Sequence, residues 1–407
     1  MQSRLNWSIW TPRAVLFLAV LSTVFIAWGL QSANEGDVAW YQWMIHDWAA
    51  GHLPYVTHPV EYPPYALGIF LLPWLMGDHG YLINFMLLAL GLEVGSKFLL
   101  GWHSLRVQRF PGDLKSWLPL VLFSGGELFL SYFLLQRYDI WPAVLTLIAV
   151  LLAYHGRWWG AGIFLALGIG AKLYPLLFVL PLAALAFRQA RKALGRFLGG
   201  GLLGLLPLFL LSFFLPWWKF LLIQGGRGLQ VESLAASLLW TVHHFAAFPL
   251  SWVRATAWYE LQGPVAFALV PWTKVLFGGA VLVSVVGATV AAWRSSTAPL
   301  SRWASWLLCP LTAFVAFNSV FSPQYMIWLL ALAALAVLDQ PWWPAVCLFV
   351  AMVLTPQIYP VPDYFTGLNW WHTLALLTRN LLVLTSWLGF VFICFKKDKR
   401  IELVRPT

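Results

Sequence analysis

Charge is what this chain has least of. Only 10% of its 407 residues are Asp, Glu, Lys or Arg, while 61% are hydrophobic and the mean hydropathy is +0.75. A soluble protein of this length needs a charged surface, so a soluble reading is excluded and most of the surface must face lipid. Cysteine is scarce as well. Cys309, Cys347 and Cys394 stand far apart in apolar runs, which speaks against a disulfide framework or a cysteine-based metal site. There is no D-x-D pair to hold a divalent metal against a nucleotide diphosphate, no Walker loop and no G-x-S-x-G elbow. Gly/Ser linkers are missing too, so a single polytopic domain over 1–407 is expected. The halves show no convincing repeat, which weakens an inverted-repeat transporter reading. The first apolar segment, 14–30, is long for a signal peptide and no A-x-A site follows it, so an uncleaved first span is expected.

What the chain does have is apolar sequence in blocks, at about 14–30, 65–76, 81–101, 117–135, 140–154, 158–187, 197–223, 265–293, 303–319, 325–338, 341–359 and 374–394. It also has 27 Trp, a residue suited to the boundary between hydrocarbon and headgroups. A crossing takes roughly 20 apolar residues. The run 65–76 is too short for that, and Lys172 and Pro175 interrupt the long run 158–187. Basic residues cluster at Arg4/Arg13, Arg106/Arg109/Lys115, Arg157, Arg188 to Arg196, Arg294/Arg302 and Lys396 to Arg405. All six clusters lie on the cytoplasmic side if 65–76 dips into the membrane without crossing and 158–187 is two short helices turning at Lys172–Pro175. The expected architecture is therefore an all-α bundle of about 12 transmembrane helices with both termini cytoplasmic. The net charge of +10 is explained by this sidedness and calls for no nucleic-acid partner.

With this topology the unusual polar segments share the outer face: the loop 31–65, QRYD at 136–139, KLYP at 172–175, the loop 224–264, FSPQY at 321–325, and 356–373. The loop 31–65 carries Glu35, Asp37, Asp47 and Glu61 with no Lys or Arg, and is rich in Trp and Tyr. WYQWMIHDW places residues 40, 43, 44 and 48 on one face of a helix lying on the membrane, which holds Asp37 near the interface as a candidate base for a hydroxyl proton. Asp47 and Glu61 read as solvated loop acids. Arg137 either pairs with Asp139 at the surface or grips a phosphate, and Lys172, at a turn within apolar sequence, either snorkels or meets an anion. GGRG puts Arg227 among backbone amides able to bind an anion, and Glu232–Ser233 opens a helical run ending in His243 and His244. Those neighbouring histidines do not share a helix face, so a hydrogen bond to a sugar or phosphate is a better role for them than a shared metal. Gln324 and Tyr325 offer sugar-type hydrogen bonds and a stacking ring, or a structural turn.

Asp37, the YPP turn at Tyr62–Pro64, the KLYP stretch at Lys172–Pro175 and SPQY at Ser322–Tyr325 resemble glycosyltransferase family 87, within the GT-C superfamily. RGLQVES at 227–233 also looks like bacterial members of that group. The likeness runs across nearly the whole chain, although QRYD stands where such enzymes often read G-Q-x-N. The resemblance implies a GT-C bundle, with the catalytic first outer loop 31–65 and a second outer loop 224–264, that uses a polyprenyl-phosphate sugar, most often mannose. Asp37 would be the catalytic base. Arg137, Lys172 and Arg227 would stabilise the departing phosphate, with Asp139, Tyr174, Glu232, His243, His244, Gln324 and Tyr325 as further substrate contacts. No metal or other cofactor is implied, and the partners are the lipid-linked donor, a lipid or glycan acceptor and membrane lipids. A ligase or polymerase would want a larger outer loop. A transporter or flippase of lipid-linked sugars would want ionisable groups at mid-membrane, where Glu93, Glu127, Lys274 and Arg379 are candidates.

Overall fold

The computed structural model describes residues 7–32, 36–107, 113–254, 258–295, 297–359 and 369–396. Glu35, Asp363, Arg4, Arg109 and the basic residues from Lys397 onward lie outside them. Helix α1 spans Trp7–Trp28, and α2 (Gly36–Ala49) follows a short 3-10 turn. Next come α3 (Pro64–Met76), α4 (Tyr81–Val107), α5 (Leu114–Phe129), α6 (Ser131–Gln136), α7 (Ile140–Tyr154), α8 (Trp158–Ala171) and α9 (Val179–Gln189). The second half runs through α10 (Arg191–Leu211), α11 (Lys219–Gly226), α12 (Leu234–His243), the strands β1 (Ser251–Arg254) and β2 (Tyr259–Gln262), then α13 (Pro264–Arg294) and α14 (Leu300–Phe317). It closes with α15 (Tyr325–Ala336), α16 (Trp343–Leu354) and α17 (Trp370–Phe395). The expected all-α fold thus carries one small antiparallel hairpin, β1–β2, registered Ser251 to Gln262.

Six helices among the described residues are long and apolar enough to cross a membrane, a pattern compatible with a polytopic membrane protein. Their outward faces stay apolar: Phe17 and Phe25 on α1 are 66% and 62% exposed, as suits side chains whose solvent is lipid. The centre is α14 and α15, and every residue of α15 is buried. Helix α3 has 13 residues, a rise of about 20 Å against a hydrocarbon core of about 30 Å. The run 158–187 does break. Helix α8 ends at Ala171, Lys172 and Leu173 form the turn, and Pro175 sits in the first turn of the 3-10 helix Tyr174–Phe178, which leads into α9.

Two runs differ from a single helix. The run 197–223 stops at Leu211, because Pro216 cannot continue the ladder and the Trp217 indole donates to Ser212 Oγ at 2.8 Å, fixing the turn into α11. The run 117–135 breaks at Leu130, whose φ of −104° and ψ of 8° separate α5 from α6.

Helices α8 and α10 pack backbone to backbone. A Cβ on Gly200 would stand 2.2 Å from the Trp159 carbonyl oxygen, so a side chain there would force the helices apart. Helix α1 is tied to α4 and α5 by charge. Lys97 pairs with Glu93 on its own helix and with Glu127 at 2.5 Å, and it donates to Ala19 O, Ser22 Oγ and Thr23 Oγ1 at 2.7–2.9 Å.

Candidate active site

The polar segments that the sequence places on one face meet around a cavity of about 590 Å³. Its walls are element ends: the start of α2, the turn before α3, the α6–α7 and α8–α9 junctions, the 220–232 segment, the hairpin, and the α14–α15 turn. Eight of the candidate residues line it, namely Asp37, Arg137, Lys172, Tyr174, Arg227, Glu232, Gln324 and Tyr325.

An aromatic box fixes the first wall. Tyr41 stacks on Phe70 at 4.1 Å, and Tyr62 and Tyr138 meet it edge-on at 5.8 and 5.9 Å. The box therefore joins α2, the YPP turn, α3 and QRYD in one cluster. The face of α2 that it buries is Val38, Tyr41, Met44 and Ile45. Trp43 and Trp48 lie on the exposed face, whereas Met44, expected beside them, is in the core, because the Val38–Tyr41–Ile45 stripe is the one that meets α3. Asp37 sits in the first turn of α2, where the helix dipole favours a negative charge, and it is ion-paired with Arg137. Arg137 is 8% exposed, and burial draws its pKa below the ordinary guanidinium value, with Tyr359 and Asp139 acting against that. Its partner is thus Asp37, in place of the Asp139 pairing considered from sequence.

Asp139 stands behind the wall, 1% exposed, and accepts from Lys172 Nζ at 2.6 Å and from the Trp328 indole at 2.7 Å. Lys172 does not snorkel. Its ammonium lies 4.4 Å from the centre of the Tyr138 ring and 5.1 Å from that of Trp328, and burial lowers its pKa while Asp139 opposes the shift. Tyr174, Trp328 and Tyr325 form a stack, with centroids 4.5 and 3.9 Å apart.

The second wall folds over from 224–262. Arg227 lies 4.1 Å from the Trp258 ring centre, and its Nη1 donates to Gln224, which in turn donates to the Glu61 carbonyl at 3.0 Å. The 31–65 and 224–264 loops are therefore linked. The Gly228 amide, one of the backbone groups expected to bind an anion, donates a hydrogen bond to Glu260 Oε1 at 2.8 Å, so the chain's own carboxylate occupies it. Glu232 is 4% exposed, and Arg379 Nη2 and Asn380 Nδ2 donate to its carbonyl at 2.8 and 3.1 Å. Its carboxyl pKa is raised to about 7 by burial, against the pull of Arg379. Ser233 caps α12, accepting from the Ala236 amide at 3.2 Å.

His243 and His244 are elsewhere. His243 packs beside Trp240 and Phe248, and His244 Nε2 lies 3.0 Å from Thr373 Oγ1. Both sit at the far end of α12 (Leu234–His243) from Glu232, about 15 Å away along the helix, and neither lines the cavity. Sequence reasoning missed Arg254, Trp258 and Lys274 as lining residues and left Glu61 as a solvated acid, although it lines the cavity. The cavity holds five cations (Arg137, Lys172, Arg227, Arg254, Lys274) against three acids (Asp37, Glu61, Glu232), so it favours an anionic guest. No family of known proteins has a model that matches this chain, and no curated protein matches it.

Proposed function

We propose that this chain is a metal-independent membrane glycosyltransferase that moves a hexose, with mannose the family default, from a polyprenyl-phosphate donor to a lipid or glycan acceptor. The reading sets about 12 crossings in the plasma membrane, with both termini cytoplasmic and the cavity opening on the outer face. The shorter apolar helices supply the crossings beyond the six long ones, and α3 dips in without crossing. The observation that carries the proposal is the meeting of Asp37 with Arg137, Lys172 and Arg227 around one cavity.

The chemistry is an inverting displacement. Asp37 takes the proton of the acceptor hydroxyl, whose oxygen attacks the anomeric carbon from the side opposite the phosphate. As the new C–O bond forms, the bond to the phosphate oxygen breaks, and its electron pair leaves with polyprenyl phosphate. The buried cations stabilise that charge. The Asp37–Arg137 pair gives the order of events: a donor phosphate that draws Arg137 onto itself releases a carboxylate oxygen to the acceptor hydroxyl. The test is to remove the protein from its host and follow lipids and glycans by mass spectrometry. One glycoconjugate loses a hexose and regains it with the wild-type chain. An unchanged lipid and glycan profile overturns the reading.

The Glu93–Lys97–Glu127 cluster, buried among α1, α4 and α5, is the observation that favours a second reading as a transporter or flippase of lipid-linked sugars. Substrate-dependent transport in proteoliposomes without glycosidic bond formation selects it.

A further inference from the structure

The segment between α2 and α3 has a chemistry that the cavity does not use. Two residues past the end of α2, Gly51 takes a φ of 95°, and the chain then reverses through a turn in which the Val56 and Thr57 amides donate to the Leu53 carbonyl. Tyr55 takes a φ of 64°, rare for a bulky residue, and its hydroxyl donates to the Tyr62 carbonyl at 2.7 Å. This turn brings His58 back beside His52, with the two rings 5.7 Å apart, and both face Asp47 on the last turn of α2. Asp47 Oδ1 lies 2.8 Å from His52 Nδ1 and 3.5 Å from His58 Nε2. One nitrogen from each histidine and one carboxylate oxygen thus lie within 4.8 Å of one another.

Ligand atoms bound tetrahedrally to zinc at about 2.0–2.1 Å stand roughly 3.3 Å apart. The two separations from Asp47 bracket that value, and the two histidine nitrogens lie within 4.8 Å of each other, so side-chain rotations bring all three atoms to ligand spacing. Two imidazoles and one carboxylate, with an open fourth position, are a donor set that zinc favours. Asp47 is 17% exposed at its side chain, and the histidines are 51% and 43% exposed, so an ion has access. We propose that Asp47, His52 and His58 form a binding site for a divalent transition-metal ion of the zinc type. Its role is to clamp the loop that ends at Glu61 and Tyr62, both of which line the cavity, with the Glu61 carbonyl accepting from Gln224. Asp47 is ten residues from Asp37 along α2, about 15 Å at the helical rise, so no step of sugar transfer runs through the metal.

The experiment uses the full-length chain, purified without a histidine tag, stripped with chelator and titrated with Zn²⁺ by calorimetry. The wild type binds one Zn²⁺ per chain, and binding raises its unfolding temperature. The His52→Ala/His58→Ala double variant loses at least tenfold in affinity and the thermal shift. Asp47→Asn, which keeps the side-chain shape, loses affinity in the same direction and decides the matter if the double variant does not fold. His46→Ala removes the neighbouring His46–Asp78 pair, whose atoms are 2.6 Å apart, and leaves zinc binding intact. The site is overturned if the wild type takes up no zinc, if the double variant or Asp47→Asn binds like wild type, or if His46→Ala is the change that abolishes binding. None of these readouts depends on sugar transfer.

Discussion

Lys97 and Lys172 are both buried ammonium groups beside carboxylates, yet their surroundings differ. Lys97 is enclosed. It touches Glu93 and Glu127, and a carbonyl and two hydroxyls from α1 share its three protons with them. Lys172 has one carboxylate, Asp139, on its protein side and lies against aromatic rings, with the rest of its environment a cavity wall. The first cluster binds three helices together. The second leaves a cation available to something that is not protein. A buried charge whose partners are all within the fold is a structural device, whereas one that borders a cavity beside Arg137 and Arg227 has the surroundings that favour an anionic guest.

That contrast can be broken at either end. Replacing Lys97 with Met leaves two buried carboxylates without a cation and lowers unfolding stability by about 3–5 kcal/mol. Adding Glu93→Gln and Glu127→Gln recovers part of the loss in a thermal melt. Arg227→Gln acts on the other cluster, and transfer falls by about 10²–10³-fold while the melting temperature moves less than in Lys97→Met. Glu232 sharpens the comparison through pH. Its folded carboxyl keeps its proton up to about pH 7, higher than in the unfolded chain, so the folded state binds more protons in the interval below pH 7. Stability therefore falls as pH rises through that interval, by up to about 3 kcal/mol, and Glu232→Gln flattens the melting temperature measured across it. The smallest effect belongs to His243→Ala, which lies off the cavity and changes transfer by no more than about twofold.

Much of this contrast was legible in the sequence, but unevenly. The Lys172–Pro175 interruption marks the helix break because an ammonium and a proline inside an apolar run have few other structural solutions. Asp37, Tyr62 and QRYD stand out against apolar neighbours; the distribution of basic residues predicts one shared face, and Asp37, Tyr62, Arg137 and Tyr138 do line one cavity. Arg254, Trp258 and Lys274 were not legible as site residues. Arg254 and Trp258 reach the cavity through the hairpin that Gln230 and Glu260 bridge to the loop, and Lys274 reaches it from α13, where it donates to the Gly225 carbonyl at 2.7 Å; these are non-local pairings without a local pattern. His243 and His244 lie off the cavity because α12 carries them about 15 Å beyond Glu232, a length that a list of polar residues does not convey. Glu93 and Lys97 have the i, i+4 spacing of a helix pair, yet Glu127 comes from another helix, and composition alone made the two acids look like mid-membrane transport groups.

The central claim rests on Asp37. The direct measurement is sugar transfer from polyprenyl-phosphate mannose to the acceptor identified by loss of the protein, comparing purified wild type with Asp37→Asn and recording donor binding and melting in parallel. Transfer by Asp37→Asn falls by about 10²–10⁴-fold while donor binding and folding persist. An Asp37→Asn chain that is folded and transfers sugar at the wild-type rate contradicts the account.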